Sequence, residues 1–256
     1  MAIRNKHIYG DTSVELDTQG SLESARVIVP IVTALLNPKS VIDFGCGRGA
    51  WLKAFQENGV KLIQGVDGAW LDQSKLLIDS SRFRSVDLCK PCDLHGEWDL
   101  AICLEVAEHL PEGASEPLIQ ALTSAAQAIL FSAAIPGQAG RGHINEQWPA
   151  YWRQLFERRG FRRLDPIRRH IWQDSRVNWW YRQNIFLYAA EQAIAESEVL
   201  KAEQELAARM QDEWIHVRVL SSHEGLRAIL RELPRVAWQA IKHRIGRHQP
   251  ESQRLM

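Results

Sequence analysis

The stretch VIDFGCGRGAW, at residues 41–51, joins a short apolar run to an acidic residue and three closely spaced glycines. Gly45, Gly47 and Gly49 permit positive φ and leave the backbone without side chains, so a ligand can lie against it. Open α/β sheets bind ligands beyond the carboxyl ends of their strands. If a strand ends at this loop, the stretch predicts a binding site for a nucleotide-type ligand.

Two aspartates support that prediction. Asp67 ends a second apolar run, KLIQGVD, and lies twenty residues after Gly47. A carboxylate at this position can accept hydrogen bonds from both hydroxyls of a ribose. Asp87 follows a third short run, RFRSV, where it can accept a hydrogen bond from an adenine amine. The loop and the two aspartates together predict a nucleoside site.

The loop lacks the third glycine of the dinucleotide fingerprint G-x-G-x-x-G, because its spacing is G-C-G-R-G. Asp43, two residues before Gly45, would repel a pyrophosphate and attract a cationic amino-acid group. A nicotinamide-dependent oxidoreductase is therefore disfavoured.

A second chemical motif is CLEVAEHLP, at residues 103–111. Glu105, Glu108 and His109 are spaced i, i+3 and i+4, which places them on one face if a helical turn follows the strand. Pro111 would keep that turn short. Two carboxylates and an imidazole can bind a divalent cation that acidifies a hydroxyl.

The elements that must position these residues alternate between apolar runs and helical patterns from about 21 to 190, as in a parallel sheet covered by helices. The predicted helices are at 21–36, 49–59 and 148–161. The predicted strands are at 40–45, 61–67, 82–88, 98–105 and 126–135, with a last strand, parallel or antiparallel, at 184–190. The expected fold is a doubly wound, Rossmann-like α/β sheet over residues 1–190.

Residues 191–256 form a separate helical extension in this interpretation. The first part, to about residue 214, is rich in helix formers and predicts one long solvated helix or a coiled-coil arm. Residues 213–250 are basic with apolar positions at helical spacing. They predict an amphipathic helix that either packs on its own domain or docks on a protein or an anionic membrane surface.

Composition sets broad limits. The chain is 45% hydrophobic and 24% charged, and its 31 Lys and Arg balance 31 Asp and Glu, which disfavours a nucleic-acid partner. No signal peptide or membrane-spanning run is found, so a cytoplasmic protein with reduced cysteines is expected. Cys89 and Cys92 form a lone C-x-x-C that we interpret as loop thiols.

Four segments resemble the class I S-adenosylmethionine-dependent methyltransferases: residues 43–49, 65–67, 86–88 and 104–110. The resemblance covers about residues 20–190 and implies a seven-stranded sheet with one antiparallel strand. It implies that the cofactor S-adenosylmethionine is held at its methionine part by Asp43, Gly45, Cys46, Gly47 and Gly49. It further implies Asp67 at the ribose, Asp87 and Leu88 at the adenine, and Leu104 beside the sulfonium.

The E-x-x-E-H pattern resembles the metal site of ubiquinone-pathway O-methyltransferases and of small-RNA 3′-terminal methyltransferases, in which another histidine completes the site. His143 would be that histidine, giving a candidate Mg²⁺ site of Glu105, Glu108, His109 and His143. The same pattern also begins helices in metal-free enzymes of this class. His143 or His109 would then serve as general base beside Glu105, or both histidines would be structural.

The acceptor is the least defined part of the prediction. The chain loosely resembles bacterial methyltransferases of sugar and polysaccharide biosynthesis, and Trp148 is a candidate for the acceptor wall. Trp152, Leu155 and Phe156 are predicted to be core. The expected function is O-methylation of a small hydroxylated molecule or glycan. The alternatives are an RNA-end methyltransferase, for which arginines at 158–163 give a hint, and a non-catalytic subunit that docks through its C-terminal helices.

Overall fold

The computed structural model describes residues 11–92, 94 and 96–209, and the predicted basic helix at 213–250 lies outside them. The strands are β1 (Ser40–Phe44), β2 (Leu62–Asp67), β3 (Phe83–Ser85), β4 (Leu100–Leu104), β5 (Ala128–Ser132), β6 (Phe161–Leu164) and β7 (Phe186–Ala190). The helices are α1 (Asp11–Leu36), α2 (Ala50–Glu57), α3 (Ser115–Ala125), α4 (Pro149–Glu157), α5 (Arg168–Ile171), α6 (Trp179–Asn184), α7 (Glu191–Glu196) and α8 (Glu198–Arg209).

The strands form one seven-stranded sheet in the order β3-β2-β1-β4-β5-β7-β6. Strands β1 to β5 pair in parallel, and β7 runs antiparallel to both β5 and β6. The order reverses at β1, whose neighbours are β2 and β4, so the carboxyl ends of β1, β2 and β4 lie together. The predicted seven-stranded, doubly wound sheet with an antiparallel strand is confirmed.

Both faces of the sheet are buried, which is why its central strands are apolar runs rather than alternating patterns. In β4, Leu100 and Ile102 point to the core under α1 and α2, while Ala101 and Cys103 point to the core under α3 and α4. Three residues predicted as core on α4 are buried in that second core: Trp152, Leu155 and Phe156.

Four elements were missing from the sequence prediction: strand β6 and helices α3, α5 and α6. Strand β6 is short and its sequence, FRRL, places two arginines in the middle, so no apolar run marks it. Helix α3 buries one stripe of side chains. It begins directly after a short 3₁₀ turn at Glu112–Ala114 and has no side-chain cap to mark its start.

The prediction of one long solvated helix after residue 190 was wrong. Helix α7 ends at Glu196, and Ser197 is extended, with its hydroxyl accepting a hydrogen bond from the Leu200 N–H at 3.3 Å. Serine favours this capping position, so it starts a new helix instead of continuing the old one. Ile194 and Leu200 are buried, and Glu203 pairs with Arg169, so both helices pack on the sheet domain. Among the described helices, none has the length and apolarity needed to cross a membrane.

Candidate active site

The glycine loop lies between β1 and α2, at the reversal point of the strand order. Gly45, Gly47 and Gly49 all have positive φ, of 81°, 51° and 82°. A Cβ at Gly45 would lie 2.4 Å from the Cγ2 of Val106, so glycine allows the loop to contact the turn after β4. A Cβ at Gly47 would meet nothing within 4 Å. The space beside the Gly47 α-carbon is therefore open to a ligand.

Asp67 fixes the shape of this loop from the end of β2. Its carboxylate accepts hydrogen bonds from the N–H of Gly47 at 2.8 Å and of Gly68 at 2.6 Å. Burial raises the pKa of Asp67 to about 6, although these two hydrogen bonds oppose the shift. Burial, with the charge of Asp67, also raises the pKa of Asp43 well above its ordinary value. Burial disfavours the negative charge of both carboxyl groups, and a cation bound beside them would favour it.

The remaining predicted cofactor residues surround the same end of the sheet. Leu88 and Leu104 are buried, and so is Cys46, whose thiol pKa is raised by burial. Asp87 is exposed; the Cys89 N–H donates to its carboxylate at 3.1 Å, and Lys90 lies 3.2 Å away. The roles of these four residues toward the cofactor stay predictions, since each role depends on a bound cofactor.

Trp70 is a residue of this region that the sequence interpretation missed. A Cβ at Gly68 would lie 2.4 Å from the Cδ1 of Trp70, so the indole packs directly on the backbone that follows Asp67. The sequence signal for it is the glycine itself, because GAW after a strand end lets a large ring lie against the chain.

Glu105 is strained where β4 ends, with a φ of 54°. A non-glycine residue adopts this left-handed conformation at an energetic cost. Its N–H donates to the Ser132 carbonyl at 3.0 Å, and its carboxylate accepts from Gln138 at 3.0 Å and Asn184 at 3.1 Å. The predicted helical turn begins only at Ala107, as a 3₁₀ turn, so Glu105 lies outside it. Gln138 and Asn184 were not among the predicted residues.

Glu108, His109 and His143 come together as the sequence suggested. One potential ligand atom from each residue lies within 4.8 Å of the others. His143 arrives from the loop after β5, and its ring centroid is 4.9 Å from that of His109 in an edge-to-face arrangement. Glu105 is outside this group of three, although its carboxylate lies near enough to Glu108 to affect its pKa.

Burial is the main influence on the ionisation of Glu108 and His109. Burial, then the neighbouring Glu105, raises the pKa of Glu108 well above its ordinary value. Within the described residues neither Glu108 oxygen has a hydrogen bond of ordinary geometry, and the nearby backbone N–H groups offset only part of the burial cost. Burial and the charge of His143 lower the pKa of His109 to about 4, so its imidazole is neutral near pH 7. A buried carboxylate and a neutral imidazole are ligand types that divalent metals accept.

His143 is held by a residue that the sequence interpretation also missed. Its Nδ1 lies 2.9 Å from Oε1 of Glu146, and the other Glu146 oxygen accepts from the Gly137 N–H at 2.8 Å. His109 is anchored in turn by its Nδ1, 3.3 Å from the Gly142 carbonyl oxygen. A carboxylate three residues after a loop histidine carries no periodic signal, so only the folded loop identifies it.

The comparisons with known proteins bear on the family and the fold. No curated protein sequence matches the chain. Residues 19–165, more than half of the chain, match a family described as Methyltransferase domain. The chain is similar in structure to magnesium protoporphyrin IX methyltransferase of Synechocystis PCC 6803 with bound SAH, at 20% identity and a TM-score of 0.50, over 73% of this chain and 93% of that one.

Two further solved structures are similar at lower scores. The human N-acetylserotonin methyltransferase in complex with SAM has 16% identity and a TM-score of 0.48, over 65% of this chain and 51% of that chain. The methyltransferase domain of bacterial CtHen1-CN has 19% identity and a TM-score of 0.46, over 65% of this chain and 98% of that domain. The family match, together with the strand order, shows that the chain belongs to the class I S-adenosylmethionine-dependent methyltransferases.

Proposed function

We propose that this S-adenosylmethionine-dependent methyltransferase transfers its methyl group to a hydroxyl oxygen of a small molecule or a sugar. The observation that carries the proposal is the cluster of Glu108, which is buried, with the partly buried His109 and His143, because a cluster of this kind can remove or acidify a hydroxyl proton. It lies beside the glycine loop, since Val106, two residues before Glu108, packs on Gly45.

The chain's own groups provide the cofactor site. When bound, S-adenosylmethionine supplies the methyl group, whose carbon bonds to the acceptor oxygen as the carbon–sulfur bond breaks. We assign Asp67 to the ribose hydroxyls and the open backbone at Gly47 to the methionine part. We assign Asp43 to the cationic amino group, whose positive charge would favour the ionised carboxylate that burial otherwise disfavours. Because the displacement is in line, holding both reactants in place does much of the catalytic work.

An acceptor hydroxyl must also lose its proton. We assign His143 as the general base, because Glu146 occupies its Nδ1 and its Nε2 is the nitrogen left to take a proton. His109, which is neutral near pH 7, and the Glu105–Glu108 pair lie near the loop that carries His143. They set the charge around the His143 ring.

A divalent cation such as Mg²⁺ fits the same residues. Glu108, His109 and His143 would hold it, and the Glu108 oxygens would gain a partner of good geometry, which they lack among the described residues. When bound, the cation would acidify the acceptor hydroxyl. Glu105 would then orient Glu108 from outside the ligand set.

Transfer of a labelled methyl group tests the proposal. The purified protein is incubated with methyl-labelled S-adenosylmethionine and separate panels of phenols, sugars, amines and RNA oligonucleotides, with and without Mg²⁺. We expect label in the phenol or sugar panel, and a loss of about 10²- to 10⁴-fold in His143→Ala, the usual contribution of general acid–base catalysis.

The panels separate the proposal from its rivals. Label on the 3′ end of RNA would show that the enzyme is an RNA-end methyltransferase and not a small-molecule one. Label on amines would show N-methylation instead of O-methylation. If S-adenosylhomocysteine binds but no panel is labelled, the catalytic proposal fails and a binding subunit remains. The Gly113→Ala variant is the matched control, because a Cβ there would meet nothing within 4 Å.

A further inference from the structure

We propose that Glu146 is a positioning residue that fixes the tautomer and the ring orientation of His143. The catalytic role of His143 in this inference rests on the proposed function. Its tautomer and ring orientation rest on the contacts of Glu146. His143 lies in a glycine-rich loop, PGQAGRGHINE, which has no regular secondary structure to hold a side chain. A histidine on such a loop needs another group to set its orientation if it is to act on a substrate.

The first contact sets the tautomer. Nδ1 of His143 lies 2.9 Å from Oε1 of Glu146, and the two side chains are only 12% and 20% exposed. An ionised carboxylate accepts hydrogen bonds and donates none, so the hydrogen of this contact must be on Nδ1. In the neutral ring, Nε2 then carries the lone pair. That is the form required of a general base or of a metal ligand at Nε2.

The second contact holds the carboxylate itself. Oε2 of Glu146 accepts the Gly137 N–H at 2.8 Å, so one carboxylate joins the beginning of the loop to the histidine near its end. Gly137 has a φ of 85°, which marks a turn at this point. The neighbouring Gln138 donates to Glu105 at 3.0 Å, so the same loop segment also supports the acidic pair.

A glutamine cannot reproduce both contacts of Glu146. The side-chain amide has one acceptor oxygen and one donor nitrogen. If the oxygen faces the Gly137 N–H, the amide nitrogen faces Nδ1 and demands the opposite tautomer. If the oxygen faces Nδ1–H, the nitrogen opposes the Gly137 N–H. Glu146→Gln therefore changes the hydrogen-bond pattern while almost preserving the shape, whereas Glu146→Asp keeps a carboxylate on a shorter side chain.

Long-range ¹⁵N–¹H NMR of the histidine rings tests the inference without any acceptor. Spectra are recorded at about pH 9, well above the ordinary histidine pKa of about 6.5, and His143 is assigned from the signal that His143→Gln removes. We expect the Nδ1–H form in the wild-type protein. Glu146→Gln should shift the ring toward the Nε2–H form, and Glu146→Asp should restore at least part of the Nδ1–H form.

S-adenosylhomocysteine binding by calorimetry shows that each variant is folded, and it should be unchanged because Glu146 lies outside the predicted cofactor residues. With an active acceptor, we expect Glu146→Gln to lower kcat by about 10- to 100-fold, the usual cost of losing such a partner. An Nε2–H form in the wild-type protein, or an unchanged tautomer in Glu146→Gln, would overturn the inference. The expected tautomers without any methyl transfer would contradict the proposed function and leave this inference standing.

Discussion

Asp67 combines two roles that normally conflict. Burial raises its pKa to about 6, and yet the assigned task is to accept hydrogen bonds from ribose hydroxyls as a carboxylate. The N–H groups of Gly47 and Gly68 already favour the ionised form, so the shift would be larger without them. The residue is thus placed where a modest change of pH alters its charge.

We therefore predict a pH dependence of cofactor binding. Because the pKa of Asp67 is raised, its protonated form dominates below about pH 6 and loses an acceptor. S-adenosylhomocysteine affinity should rise as the pH rises from about 5 to 7, with a limiting slope of about tenfold per pH unit below the pKa. Calorimetric titrations across this range measure it.

Asp67→Asn is the variant that does not titrate, although its amide can accept only one of the two N–H groups that Asp67 accepts. We expect weaker binding in this variant with a flat profile over the same range. A wild-type slope that persists in Asp67→Asn would assign the titration to another group, such as Asp43.

At the scale of elements, the loop between β5 and α4 is built around the His143 ring. A Cβ on Gly140 would lie 2.1 Å from Nε2 of His143, 2.3 Å from Cε1 and 2.7 Å from Cδ2. Gly140 is not among the residues with positive φ, so alanine there would conflict with the ring and not with the backbone conformation. Glycine suits this position because the His143 ring occupies the space that a side chain would fill.

Gly140→Ala should therefore displace His143 with little effect on the cofactor loop. We predict that methyl transfer falls by about 10²-fold or more, because general base catalysis depends on position, while S-adenosylhomocysteine binding is unchanged. Gly113→Ala provides the comparison, since its Cβ would enter open space. Full activity in Gly140→Ala would show that the ring can move aside without loss.

The elements also show which parts of the fold can be predicted from the sequence. The glycine loop and Asp67 were predictable because strand ends, glycines and acids recur at fixed places in a doubly wound sheet. Strand β6 was not, because it is a four-residue strand with two central arginines. Glu146 was not, because its contact with His143 depends on the path of an irregular loop. The left-handed Glu105 was not, since no residue type signals it.

At the scale of the whole molecule, the proposed cofactor site lies where the two cores meet. Val41 of β1 belongs to the core under α1 and α2, while Phe44, next to the glycine loop, belongs to the core under α3 and α4. The loop also contacts β2 through Asp67 and the turn after β4 through Val106. A ligand bound at this loop would contact elements from both faces of the sheet, so we expect unfolding of either face to remove the proposed site.

Cofactor binding should therefore stabilise the whole sheet domain by mass action. At a ligand concentration about 100 times Kd, the free energy of unfolding rises by about 2.7 kcal/mol. For a domain of about 190 residues this corresponds to a rise in Tm of about 5 to 11 °C. Thermal unfolding of the full chain, with and without S-adenosylhomocysteine, measures the shift. Asp67→Ala should lose it at the same ligand concentration, and Gly113→Ala should keep it. Two separate transitions, with only one moved by the ligand, would show that the two faces of the sheet unfold independently and that the site is not their common element.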